Sequence, residues 1–236
     1  MDVPELRSAF AFSGTVTEKI RDFRAERIAR LLDERTPVLF EKGRKTILHL
    51  IPFVSVAGPV RYDFLKFSQQ PNRLPPMYWG SSFRCRINLD GIVTFNGGPV
   101  ASNSYTQLFR NGIIETVGTL MVGETTQGAI TYPHASFENE LRQHLARMIS
   151  AQQELGVIPP IAVALSLTGT KGIEMESPFQ RLPGIEEDLL VLPETMVEDF
   201  SVLPGKVLKP TFDLIWNALG GAQSTNFDED GNWISR

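Results

Sequence analysis

Arg84 and Arg86 stand two residues apart in RCRINLDGIVTFN, a stretch whose Asp90-Gly91 pair reads as a two-residue turn between short strands. That turn sets Leu89 against Ile92, Ile87 against Thr94 and Arg86 against Phe95, so both guanidiniums share a solvent-side face with an aromatic ring. Two chemistries fit. The arginines receive an anion or a nucleic-acid base, or they only cover Phe95 through a cation–π contact. Cys85, Ile87, Leu89 and Ile92 fall on the opposite face and are expected in the core. Cys85 then reads as a small hydrophobe, because a reactive thiol needs an electropositive, partly open site.

The next hairpin, SYTQLFRNGIIETVGT from Ser104, supplies further candidates. Taking Asn111-Gly112 as its two-residue turn pairs Arg110 with Ile113, Phe109 with Ile114, Leu108 with Glu115, Gln107 with Thr116 and Tyr105 with Gly118. Tyr105 would then shield glycine backbone, and Arg110 would lie diagonal to Glu115 as an exposed ion pair. The candidate binding surface on this reading is Arg84, Arg86, Tyr105, Gln107 and Arg110.

Carboxylates offer the competing chemistry. Glu115, Glu194, Glu198 and Asp199 could serve a metal-dependent hydrolase or nuclease if they converged, although the spacing predicts no convergence and a solvated acidic loop is the plainer reading of LPETMVEDF. His49 sits inside the apolar run KTILHLIP and reads as a hydrogen-bonded core residue. His134 and His144 are ten residues apart, which is not a one-turn metal pair. GTKGIEME has neither phosphate-loop glycine spacing nor a nuclease triad. Asn226, Asp228, Asp230 and Gly231 resemble a calcium loop but lack its closing glutamate. No catalytic residue and no metal ligand emerges.

These residues must be held by a globular chain. Its 236 residues, 42% hydrophobic and 21% charged, carry a formal net charge of −4, which excludes a generally basic nucleic-acid-binding surface and leaves only a local patch. One cysteine permits no internal disulfide and fits a reducing cytoplasm. No apolar run is long enough for a membrane span, and the first residues lack a signal-peptide pattern.

The expected fold is α+β, a mixed and largely antiparallel sheet built from hairpins 84–96 and 104–121, with helices 15–33, 136–155 and 210–219 packed on it. Ile20, Phe23, Ile28, Leu31 and Leu32 give the first helix its period. Arg21, Arg24, Arg27 and Arg30 drift around it, interleaved with acids, and read as a solvated face. Phe137, Leu141, Leu145, Met148, Ile149 and Leu155 mark the second helix, stopped by Gly156. Pro210 fits the first turn of the third, whose stripe is Phe212, Ile215, Trp216 and Leu219. IAVALSLTG from Ile161 suits a central strand. The proline-rich 57–80 stretch reads as an irregular surface segment, with Arg61, Tyr62, Asp63, Tyr78 and Trp79 as candidates for a rim or lid. Residues 1–14 read as a connector arm, 15–221 as one domain and 222–236 as a polar tail.

Together, FRAERIARLLDERTPV, LHLIP, INLDGIVTF, SYTQLFRNGIIE, LPETMVEDF and LKPTFDLIWNALG with NFDEDGNW resemble the C-terminal region of bacterial Schlafen-like proteins. The resemblance covers nearly the whole chain. It implies an AlbA-type domain upstream or as a separate partner, ATP-binding and nucleic-acid-binding, with MDVPELRSAF as the segment that follows it. Any ATP belongs to that domain, none of whose glycine-rich and acidic segments occur here, so no cofactor is expected for this chain. The implied role is a non-catalytic binding or regulatory module, with nucleic acid reached through the longer protein and no membrane contact.

Overall fold

The computed structural model of the chain describes residues 3–78, 82–97, 100–175 and 184–234, with side chains from residue 14 onward. In chain order the main elements are α1 (Val3–Leu32), β1 (Lys45–Pro52), α2 (Phe53–Ala57), α3 (Leu65–Gln69), β2 (Arg84–Ile87), β3 (Gly91–Gly97), β4 (Ser102–Phe109) and β5 (Ile114–Thr119). Then follow β6 (Gly123–Glu124), β7 (Ile130–Tyr132), α4 (His134–Leu155), β8 (Ile161–Thr168), β9 (Glu174–Met175), β10 (Leu189–Val191), β11 (Thr195–Val197) and α5 (Pro204–Ala218). The fold is α+β, as the hairpin and helix signals predict.

Strands apolar on both faces belong inside a sheet, and β1 and β8 are buried along their full lengths. They are neighbours in an antiparallel sheet of order β10-β8-β1-β5-β4-β3-β2, with β11 also pairing β8. One face packs on α1: Val16, Ile20, Ile28 and Leu31 meet Ile47, Ile51, Val93 and Val117. The other packs on α4 and α5: Phe137, Leu141, Phe212 and Ile215 meet Leu48, Leu50, Leu108 and Leu165. A small second sheet, β6-β7-β9, has its β7–β9 pair parallel.

Both hairpins differ from the expected register. In the second, Phe109 N–H donates to Ile113 O at 2.8 Å and Gly112 N–H to Phe109 O at 3.0 Å, so the loop is the three residues Arg110–Asn111–Gly112. Among the loop residues only Gly112 has positive φ (+88°), which suits a three-residue loop closed by a left-handed glycine; the type I′ turn expected of Asn-Gly needs positive φ at both centres. Asn111 is drawn instead to α2, where its carbonyl accepts from Ser55 Oγ at 2.6 Å. Gln107 therefore faces Glu115, Tyr105 faces Val117 and Ser104 faces Gly118. A one-residue slip exchanges the faces, so Arg110 is not opposite Ile113 and the proposed shielding of Gly118 by Tyr105 does not occur. Tyr78 takes that place: a Cβ on Gly118 would come 2.7 Å from its ring.

In the first hairpin the turn is Leu89-Asp90, flanked by Asn88 and Gly91, which exchange backbone bonds of 2.9 and 3.3 Å. Ile87 pairs with Ile92, Arg86 with Val93 and Arg84 with Phe95. The shift is two residues in partner, so faces are kept. Ile87 and Leu89 are nonetheless 50% and 89% exposed, because β2 is the edge strand and overhangs the core; Cys85 and Ile92 alone of the expected set pack on it.

The helices also extend beyond their sequence signals. α1 starts at Val3 and so runs through the stretch read as a connector arm. α5 starts at Pro204, which takes the first-turn place expected of Pro210, and Pro210 lies inside it. The proline-rich segment is not on the surface throughout: Leu74, Pro75, Pro76 and Met77 are buried. Side-chain donors satisfy the carbonyls that burial would otherwise strand. Thr94 Oγ1 donates to Leu74 O at 2.5 Å, Thr106 Oγ1 to Pro75 O at 3.0 Å, Asn96 Nδ2 to Tyr78 O at 3.1 Å, and Ser104 Oγ donates to Met77 O. Nor is the tail free, since Ser224, Asn226 and Phe227 are buried and Phe227 stacks on Phe212 at 5.7 Å.

Candidate functional site

Glu115 is the polar centre of the layer between α1 and the sheet. It is 0% exposed, and Arg27 reaches it from α1 through two bonds, Nε to Oε2 at 2.7 Å and Nη2 to Oε1 at 2.8 Å. Tyr105 O–H donates to Oε1 at 2.8 Å, and His49 Nε2 lies 3.0 Å from Oε2. Burial pushes the carboxyl up, but hydrogen bonds and charge from Arg27 and His49 outweigh it and lower it to about 2. The Tyr105 hydroxyl is raised well above its usual value by burial and by Glu115. An ionised acid with both oxygens occupied is a lock, not a proton carrier.

Arg24, one turn earlier on α1, is engaged similarly. It donates to Leu165 O at 2.5 Å, Leu192 O at 2.6 Å, Ser166 Oγ at 2.9 Å and Glu194 Oε1 at 3.1 Å. The arginine series is thus split rather than uniformly solvated: Arg24 and Arg27 are buried, Arg21 and Arg30 exposed. The expected Arg110–Glu115 pair is absent. Arg110 instead donates to Leu89 O at 2.9 Å and lies over Phe64 at 5.0 Å.

A second closed cluster surrounds Glu138, buried on α4. It accepts from Ser224 Oγ at 2.6 Å, Trp216 Nε1 and Asn226 Nδ2 at 2.8 Å, and Tyr132 O–H at 3.3 Å. Four donors from three segments satisfy one buried carboxylate and fasten the tail to α4 and α5. Asn226 is thereby engaged away from Asp228, whose oxygens take the N–H groups of Asp230 and Asn232, a local turn that leaves no calcium-loop arrangement.

The scattered acids do not assemble into a hydrolase site. Glu115 is locked by Arg27, Glu194 pairs with Arg24 and Arg21, and Asp199 caps Ser201. Among the described residues no group of three or more His, Cys, Asp or Glu is placed to hold a metal ion. His144 is buried, with burial and then Arg147 lowering it to about 3, and its Nε2 lies 3.1 Å from Thr116 Oγ1. Burial raises the Cys85 thiol, so the hydrophobe reading of that residue fits its surroundings.

An open groove of about 460 Å³ lies at the β2 edge of the sheet, lined by Arg84, Arg86, Phe95 and Asn96 with Leu39 and Val100 on its rim. Both arginines are exposed. Arg86 stands 5.9 Å over Phe95 and also donates to Pro37 O, so the cation–π contact foreseen for this face forms. The Arg84 guanidinium has no hydrogen-bond or ion-pair partner among the described residues. Of the five sequence candidates, the groove gathers these two. Tyr105 and Gln107 are interior, Tyr105 on Glu115 and Gln107 bonded to Asn88, Ile92 O and Leu108 O. Arg110 holds the β2–β3 turn. Of the rim candidates, Tyr62 packs on Gly112, Asp63 caps Leu65 N–H at 3.0 Å and Tyr78 covers Gly118, while Trp79 lies outside the described residues.

Sequence reading missed Arg27, Arg24 and Glu138 as buried hubs. The one available signal was Glu115 in an apolar run with His49 in another, two polar residues that interior strands tolerate only together. No protein-family model, curated protein or solved structure matches the chain. Among the described residues no helix is long and apolar enough to cross a membrane.

Proposed function

We propose that this chain is a non-catalytic binding or regulatory module that presents the Arg84–Arg86 groove to a polyanion, nucleic acid first, and works with a Schlafen-like AlbA-type ATP-binding domain. The observation that carries this is the contrast between Arg84, an exposed guanidinium without a partner among the described residues, and the buried Glu115 and Glu138, each already bonded by several donors. An arginine pair on one strand face beside an aromatic ring offers charge and a stacking plane together. The overall charge of −4 confines any such binding to this patch. The Schlafen-like part of the reading rests on the sequence segments that carry the resemblance, from FRAERIARLLDERTPV to NFDEDGNW.

The test uses the intact chain and a fluorescent single-stranded oligothymidylate. Arg84→Ala with Arg86→Ala should weaken binding at least tenfold at low salt, about 1.4 kcal/mol or more. Equal affinity in the two proteins would remove the groove as the contact surface.

A further inference from the structure

The two edges of the large sheet are dressed differently. β2 carries arginines, a usual guard against strand addition. β10, at the other edge, is apolar, with Leu189 37% and Val191 53% exposed. Gly169 N–H donates to Asp188 O at 2.7 Å and Leu192 N–H to Leu165 O at 3.2 Å, so residues 188, 190 and 192 face β8. Antiparallel alternation then turns the N–H and C=O groups of Leu189 and Val191 outward. Alongside runs a groove of about 560 Å³ between these two side chains and Ala25, Ile28, Ala29 and Leu32 of α1.

Charge selects the occupant. From Gly184 to Asp199 the chain has six carboxylates and no lysine or arginine, and Glu186, Glu187, Asp188, Glu198 and Asp199 are exposed. Of the cations beside it, Arg24 and Arg21 pair with Glu194 and Arg44 donates to Gly169 O; exposed Lys171, between Thr170 and Gly172 that bond the 185–188 segment, leaves the strip acidic in balance. A second copy paired antiparallel about Leu190 would bring two such acidic strips, each with exposed Glu186, Glu187 and Asp188, to one edge, which like charge disfavours.

We propose that β10 and its groove dock an extended segment of a partner protein, with alternating aliphatic residues flanked by lysine or arginine, added as a further strand of the sheet. Its outward-facing backbone bonds Leu189 and Val191, alternate aliphatic side chains fill the groove, and the basic flanks meet Glu186–Asp188 and Glu198–Asp199. This surface is separate from the β2 groove, so the two readings stand or fall independently.

The probe is a labelled, end-blocked nonapeptide KRVTVTVRK titrated into the intact chain by fluorescence anisotropy. Expected is saturable binding that falls at least tenfold for the acid-flanked EEVTVTVEE and for the basic peptide N-methylated at its valines. Val191→Pro, which deletes an outward N–H, and Glu187→Lys with Asp188→Lys, both exposed, should each weaken the basic peptide at least tenfold. The docking site is overturned if the chain does not bind the basic peptide, if the methylated or acid-flanked peptide binds equally well, or if the charge-reversed protein binds undiminished. Concentration-dependent dimerisation abolished by Val191→Pro would also overturn it, in favour of a second copy.

Discussion

Arg27 and Glu115, 88 residues apart, form a two-pronged ion pair at 2.7 and 2.8 Å in the layer between α1 and the sheet. The pair anchors a surface helix to a central strand at a point where Glu115 is fully buried and Arg27 nearly so. Glu115→Gln or Arg27→Ala leaves a buried partner unmatched and should cost about 3–5 kcal/mol in urea unfolding. Replacing both by methionine should cost clearly less than Glu115→Met and Arg27→Met added, because neither charge is then stranded. Strict additivity would mean that the pair is not coupled.

Acid should unfold the protein in two windows. His144 is lowered to about 3, so the stability it contributes is complete above its ordinary value of about 6.5 and drains as pH falls from there towards 3. Glu115 is lowered to about 2, so its contribution is complete above about 4.5 and drains between there and 2. Unfolding free energy measured from pH 7 to 3 should therefore decline first gently and then more steeply. His144→Leu should flatten the decline above about pH 4.5 and lessen, without removing, the steeper one below it.

Gly112 has φ +88° and its missing Cβ would come 2.8 Å from Tyr62. Gly112→Ala should destabilise by roughly 1–3 kcal/mol. Asn111→Gly should give no stabilisation, since Asn111 is not in the left-handed region. Slowed amide exchange at Phe109, bonded to Ile113 O, checks the three-residue loop directly.

Much of this architecture is legible from residues alone. The two interior strands show as unbroken apolar runs and α4 by its stripe and Gly156, whereas the edge position of β2 does not show, and Ile87 and Leu89 are wrongly expected in the core. What fails is register. Asn111-Gly112 has the composition of a two-residue turn, but the pull of Ser55 on Asn111 is a contact 56 residues away, invisible to local reading. That single slip moved Glu115 to the wrong face and with it hid the roles of Arg27 and Tyr105. The burial of Leu74–Met77 was hidden for a similar reason, because hydroxyls from β3 and β4 satisfy its carbonyls.

Ser224→Ala with Asn226→Ala removes two of the four donors on buried Glu138. The tail should loosen: amide exchange at Ile234, whose N–H donates to Asn226 O at 2.8 Å, should accelerate, with a stability loss of about 1–3 kcal/mol for each donor Glu138 loses. Unchanged exchange at Ile234 would show that Phe227 and Trp233 hold the tail by packing alone.

The salt dependence of oligothymidylate affinity, compared between the intact chain and its Arg84→Ala, Arg86→Ala form, bears most directly on the role assigned to the β2 groove. If both arginines neutralise phosphates, the slope of log affinity against log salt should shrink by about 1.4, close to 0.7 for each phosphate no longer neutralised on a single strand. Lys206→Ala, exposed on α5, which packs on β11 at the far edge of the sheet, should leave the slope where it was. Identical slopes with and without Arg84 and Arg86 would contradict a polyanion-binding role for this groove.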